Sequence, residues 1–183
     1  PESGAVFVNK RNAIHYENMS IALAESVANQ GQGFISSMAF GNGGTSVDPT
    51  GIITYLTPNS TGTNASLYNQ TFTKIVDDRS VSNLDPQRNK IETRHVNGTN
   101  YTDVVVTCLL DYGEPNGQDA TDTASASDSL YVFDELGLTS YASSGTGKLL
   151  THVIFHPVQK SLNRLIQIDY TVRVQSLTGF NEG

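Results

Sequence analysis

The sequence predicts a mainly β fold: an antiparallel β-sandwich with one N-terminal helix and an extended N-terminal arm. Three observations carry that expectation. Residues 165–174 alternate, with Leu165, Gln167, Asp169, Thr171 and Arg173 on one face and Ile166, Ile168, Tyr170, Val172 and Val174 on the other. Period two at this length is the pattern of an antiparallel strand with one face on a core. Short β-prone runs separated by Gly-, Ser- and Asn-rich turns recur from residue 34 onward, and a helical period occurs once, ahead of them.

The elements follow in order. Residues 1–11 form an arm whose apolar tetrad, Ala5, Val6, Phe7 and Val8, has no neighbouring partner in sequence. An exposed apolar strand at a terminus needs a sheet to pair with, its own or another subunit's. Asn12 reads as an N-cap for a helix within 12–30, with Tyr16, Met19, Ala22, Leu23 and Val27 at helical spacing and Gly31 and Gly33 beyond its end. That apolar face is expected to pack on the sheet. A strand at 34–40 runs into Gly41-Asn42-Gly43-Gly44-Thr45, where Gly41, Gly43 and Gly44 read as turn glycines needing positive φ. Further strands are expected at 52–56, 70–76 and 100–110, joined by polar linkers at 57–69, 77–87 and 111–129. A strand over 130–138 includes Gly137, read as a structural turn, and is followed by a turn at 143–147. The strand at 149–155 is expected to stop before Pro157, which has no N–H for a ladder. Residues 175–183 are a tail, 34–174 the sandwich, and the whole of 1–183 one domain.

Composition narrows the function classes. A chain of 183 residues, 37% hydrophobic, supports one core and would be cramped as two. The net charge of −7 is scattered through loops and strand ends, and the basic residues are dispersed. This argues against direct nucleic-acid binding, which needs clustered Lys and Arg. No run approaches the roughly 18 apolar residues of a membrane helix, and the opening Pro-Glu-Ser-Gly lacks the basic and apolar regions of a signal peptide. The expectation is a soluble protein made in a cytoplasm. The one cysteine, Cys108, lies in the apolar run 104–110 and reads as a buried inert thiol.

The search for chemistry is nearly empty. The glycine-rich loop lacks the Lys and the spacing of a phosphate-binding loop, so no nucleotide cofactor is expected. His152 and His156 are four apart and would share a face of an extended strand, as two metal ligands can. A third ligand would have to be Asp169 or His95, brought near by the fold. Asp119, Asp122 and Asp128 lack the spacing, central Gly and final Glu of an EF-hand loop. No G-x-S-x-G elbow surrounds any serine. The six N-x-S/T triplets are what a chain rich in Asn, Ser and Thr produces by chance. Tyr55, Tyr68, Tyr101, Tyr131 and Tyr141 leave open a carbohydrate-binding sandwich, although sugar platforms favour Trp and this chain has none.

Five stretches together resemble a known group. GNGGT at 41–45, SLYNQTF at 66–72, FDELGL at 133–138, KLLTHVIFHPV at 148–158 and the Ile-x-Ile-x-Tyr-Thr-Val strand at 166–172 are similar to virion structural proteins of tailed bacteriophages. The resemblance spans about residues 34–174, and similar wording occurs in N-terminal regions of phage tail-fibre proteins. It implies a non-enzymatic sandwich subunit in the virion, a homo-oligomer held among portal or connector, tail or capsid subunits. The leading role is a collar or neck ring at the head-to-tail junction; a capsid decoration protein and a tail-fibre attachment domain are the alternatives. In such a ring Ala5, Val6, Phe7 and Val8 would pair with a neighbour's sheet edge. The other classes weighed are the carbohydrate-binding module and a metal enzyme built on His152 and His156.

Overall fold

The computed structural model describes residues 8–115, 130–145 and 147–176. In chain order it contains β1 (Ala13–Ile14), α1 (Tyr16–Val27), β2 (Ile35–Gly41), β3 (Thr45–Val47), β4 (Ile53–Tyr55), β5 (Gln70–Ile75), β6 (Lys90–His95), β7 (Tyr101–Leu110), β8 (Leu130–Ser140), β9 (Thr151–Ser161) and β10 (Ile166–Gln175). The strands form a five-stranded sheet in the order β1-β9-β8-β2-β5, a three-stranded sheet β10-β7-β6 and a small pair β3-β4. Every ladder is antiparallel.

The two larger sheets face each other across one core. Met38 and Phe40 of β2, Phe133, Leu136 and Leu138 of β8, and Val153 and Phe155 of β9 meet Val106, Cys108 and Leu110 of β7 and Tyr170 and Val172 of β10. The alternation expected for 165–174 holds as far as Arg173, with Ile166, Ile168, Tyr170 and Val172 turned to the core and Gln167, Asp169, Thr171 and Arg173 exposed; Val174, expected on the core face, is exposed where the strand runs past the core. Ala39, between two core residues of β2, points the other way and packs with Leu67 and Leu149 in a second cluster. Leu67 belongs to the connection 57–69, which therefore lies over the outer face of the five-stranded sheet.

Several boundaries differ from expectation for identifiable reasons. Ala13 and Ile14 are not helical; they pair with His152 and Thr151 as β1. The helix starts one residue after His15, whose Nδ1 caps it by accepting from the Asn18 N–H at 3.1 Å. A tertiary ladder has overridden the helical period at its first turn. The apolar face of α1 is split. Ala22 is buried beside Asn18 and Met19 packs against the core, whereas Tyr16, Leu23 and Val27 are 79%, 42% and 86% exposed. Asn18 Nδ2 donates to the Leu149 carbonyl at 2.9 Å, so a polar bond seats the helix. Close approach finishes the job: Gly33 has φ +90°, and a Cβ there would meet the Ala22 carbonyl and Glu25.

The strand around Pro157 is longer than expected. β9 runs through Pro157 to Ser161. Its ladder with β8 shifts between Phe133, which faces Val158, and Glu135, which faces Ile154. Residues 155–157 thus lie opposite Asp134 alone, in a bulge where an N–H is not required. The same irregularity resets the phase of β8: its core residues step from Phe133 to Leu136 by three instead of two. Asp134 and Glu135 are the residues caught in that step, and both are buried. β6, at the edge of its sheet, was not anticipated because Lys90, Glu92 and Arg94 dilute its apolar content; such charges are how edge strands resist unwanted pairing.

Of the arm residues, Val8 is described; Ala5, Val6 and Phe7 lie outside the described residues, as do Asp119, Asp122, Asp128 and residues 177–183. Among the described residues no helix is long and apolar enough to cross a membrane.

Candidate functional site

Two acids in the middle of an apolar strand must find partners, because a buried carboxylate without hydrogen bonds is costly. Glu135 finds four. Its Oε1 accepts from the N–H groups of Asn69 at 2.8 Å and Gly43 at 3.1 Å. Its Oε2 accepts from the Tyr68 N–H at 3.0 Å and from His152 Nε2 at 2.8 Å. The two oxygens of a carboxylate offer about four acceptor sites, so this one is saturated. Asp134 does the same for the next stretch: Oδ1 accepts from the Gly44 N–H at 2.8 Å, and Oδ2 from the Thr45 N–H at 2.9 Å and the Thr45 hydroxyl at 2.6 Å.

His152 extends the network into the connection above it. Its Nδ1 accepts from the Asn59 N–H at 2.8 Å, which assigns the ring proton to Nε2, facing Glu135. Both ring nitrogens are therefore used. Burial on its own would push the Glu135 carboxyl up, but the bond from His152 and those from the Asn69, Tyr68 and Gly43 amides outweigh it and hold it below its ordinary value. The helix cap pins the far end of the same connection, with His15 Nε2 2.8 Å from the Gly62 carbonyl. Tyr68 closes the loop on itself, donating its hydroxyl to the Thr57 carbonyl at 2.5 Å.

Four of the five stretches that carry the resemblance thus meet at one place: 41–45, 66–72, 133–138 and 148–158 supply all the partners of Asp134 and Glu135. The network is shut off from solvent, with Glu135 and His152 both at 0% exposure. A carboxylate–imidazole pair can move protons only where a substrate can reach it. Here the pair instead fixes the positions of two loops.

The four glycines singled out in the sequence belong to this framework, though not as turns with positive φ. Gly41, Gly43, Gly44 and Gly137 are all absent from the residues with left-handed backbone. They are small because other atoms crowd them. A Cβ at Gly41 would collide with the Asn69 carbonyl and Glu135, at Gly43 with Asn69 and Tyr68, and at Gly44 it would lie 2.9 Å from Ile154 Cγ2. Gly137 is within β8, paired with Ala39, and a Cβ there would strike the Thr151 carbonyl.

No protein-family model matches the chain, and no curated protein matches it.

The two histidines proposed as metal ligands part company. His152 is buried in the network, whereas His156, beyond the point where the register shifts, is exposed, with Nδ1 3.3 Å from the Pro157 carbonyl. The third-ligand candidates lie on the other sheet, His95 on β6 and Asp169 on β10. Among the described residues no three His, Cys, Asp or Glu side chains gather to hold a metal. Cys108 is buried in the core, and burial pushes its thiol up to about 12.

Each tyrosine weighed as a sugar platform is engaged. Tyr55 lies under Lys10, Tyr68 beside the His152 ring, and Tyr101 under Arg173. Tyr141 stacks on Phe34 with centroids 5.0 Å apart, and Tyr131 packs on the core.

Two apolar features among the described residues bear on function. One is the outward stripe of α1, where Tyr16, Leu23 and Val27 fall on one side of the helix by their spacing of seven and four. The other is a cavity of about 420 Å³ between the sheets, beside β9 and β10. Sequence reading missed the burial of the acids, and it named the residues of the stripe but expected them to face the sheet. The signal for the acids was present: Asp134-Glu135 inside Leu-Tyr-Val-Phe and Leu-Gly-Leu is a charge pair that a buried strand must satisfy.

Proposed function

We propose that this chain is a non-enzymatic structural subunit of a tailed-phage particle, a collar or neck protein that assembles as a symmetric ring at the head-to-tail junction. Its partners are copies of itself and portal, connector, tail or capsid subunits. The observation that carries the reading is the stripe Tyr16, Leu23 and Val27, left bare while Asn18 and Ala22 seat the same helix. Apolar side chains aligned on an exposed face are what a subunit interface uses. The saturated Asp134–Glu135 network supports it from the other side: the distinctive stretches build rigidity, and a rigid subunit is what a ring needs.

The test is the solution mass of the purified chain by light scattering over a range of concentrations. A ring-sized mass that Leu23→Glu with Val27→Glu reduces to that of the monomer is the expected result. A ring unaffected by those changes removes the helix from the interface, and a monomer at every concentration, alone and with connector or tail proteins, overturns the reading. The carbohydrate-binding alternative has less support because each of its five tyrosines is already engaged by another part of the chain.

A further inference from the structure

Along one side of the sandwich, among the described residues, no ladder joins the two larger sheets. There β9 is paired on its outer edge only where β1 reaches Thr151 and His152, and β10 is an edge strand of its own sheet. Between them lies the cavity of about 420 Å³, walled by Leu110, Phe133, Phe155 and Ile168, which are core side chains of both sheets. Leu110, Phe133 and Phe155 are at most 5% exposed, so the seam is a gap at the edge of the core and not a bare apolar face.

The described chain begins at this seam. Val8, Asn9 and Lys10 line the same cavity, and the Lys10 ammonium sits 4.6 Å above the Tyr55 ring, which holds the segment against the sandwich. Immediately before Val8 come Ala5, Val6 and Phe7, the most apolar stretch of the first eleven residues. We propose that the seam between β9 and β10 is a docking groove for residues 5–7 of the same chain.

Reach, register and chemistry agree. Three extended residues span about 10 Å, enough to run along the groove from Val8. Ala13 lies opposite His152 and Ile14 opposite Thr151, so each step back along the chain is one step forward on β9. Continued without a further shift, that register sets residues 5–8 beside 160–157, along the stretch of β9 whose outer edge carries no ladder among the described residues. The edge supplies backbone partners, and the cavity supplies an apolar site for Phe7, which this register sets opposite Val158, a residue packed on the core, while Val6 falls opposite the exposed Gln159. A segment tethered at the rim has an effective concentration in the millimolar range, so it outcompetes the same segment of a second copy in dilute solution. The inference does not rest on ring assembly and changes the role of the tetrad: Ala5–Val8 completes its own sandwich, and contact between copies falls to the helix.

The chain contains no Trp, so Phe7→Trp places a single reporter at the proposed site. The expected result is a blue-shifted emission, protected from acrylamide, at every concentration and independent of the mass measured alongside. Circular dichroism identical to the wild-type chain shows that the reporter sits on the native fold. A red-shifted, freely quenched emission on that fold overturns the proposal. So does a blue shift that develops only as the mass rises, which assigns the segment to a neighbour's seam. A chain that stays monomeric yet shows the protected emission leaves this inference standing and counts against the ring alone. Removal of residues 1–7 supplies the second measurement: increased binding of a hydrophobic dye to the exposed seam is expected, and unchanged dye binding overturns the groove.

Discussion

The outer face of the five-stranded sheet and the outer face of helix α1 invert the usual rule in opposite directions. Over the sheet, Asp134, Glu135 and His152 are buried and polar; on the helix, Tyr16, Leu23 and Val27 are exposed and apolar. The first region is complete, since every carboxylate oxygen of the two acids has a donor. The second is incomplete, since apolar surface facing water gains by being covered. A satisfied polar network stabilises a single arrangement of loops, while a bare apolar stripe stores affinity for something else. Substitutions should therefore act on folding in the first region and on association in the second.

The largest effect is expected at Glu135. Glu135→Ala leaves three backbone N–H groups and the His152 Nε2–H without an acceptor, at a cost to folding of about 3–5 kcal/mol. Urea unfolding measures it, and a loss below about 1 kcal/mol would show that water replaces the carboxylate freely. The same group predicts the pH response. Held below its ordinary value of 4.5 by its donors, Glu135 binds fewer protons when folded than when unfolded, so its contribution is whole above that value. The contribution is lost as pH falls from 4.5 through the folded value. Midpoints followed from pH 6 to pH 3 should fall, and Glu135→Gln should flatten part of that fall.

The glycines come next. Gly137→Ala forces a methyl against the Thr151 carbonyl in the middle of the sheet, and backbone that must shift typically costs about 1–3 kcal/mol. Gly31→Ala is the control, because its surroundings are open even though φ +69° strains any side chain there. Should Gly31→Ala cost more than Gly137→Ala in thermal unfolding, conformation rather than crowding governs these positions.

What was legible in the sequence tracks how local the cause is. The β10 alternation and the apolar run of β7 were readable because one strand against one core leaves a period-two trace. The buried thiol of Cys108 followed from the same run. The pieces built by distant partners were not readable. Ala13 and Ile14 look helical until His152 and Thr151 pair with them, and Pro157 looks like a stop until the bulge opposite Asp134 removes the need for its N–H. The helix misled in a third way: its apolar residues are divided, with Met19 and Ala22 packed inward beside Asn18, which bonds the Leu149 carbonyl, and Tyr16, Leu23 and Val27 left outside. The glycines at 41–45 were marked correctly as special and explained wrongly, since crowding by Tyr68, Asn69 and the two acids leaves no trace in the local sequence.

The smallest effect on folding, and the sharpest test of the comparison, is at the helix. Val27 lies in the last turn of α1 and is almost fully exposed, and a surface substitution away from special features usually changes stability by no more than about 0.5 kcal/mol. Val27→Glu should therefore unfold with the wild-type midpoint. Its whole effect should be on association, seen as a mass that stays lower by light scattering at concentrations where the wild-type chain has assembled. Glu135→Gln is the mirror of this variant, weakened in folding but with an unchanged helix surface, and it should assemble normally at temperatures where it is folded. If Val27→Glu loses stability while keeping its mass, the stripe belongs to the fold after all, and the division between a closed polar region and an open apolar one fails at that residue.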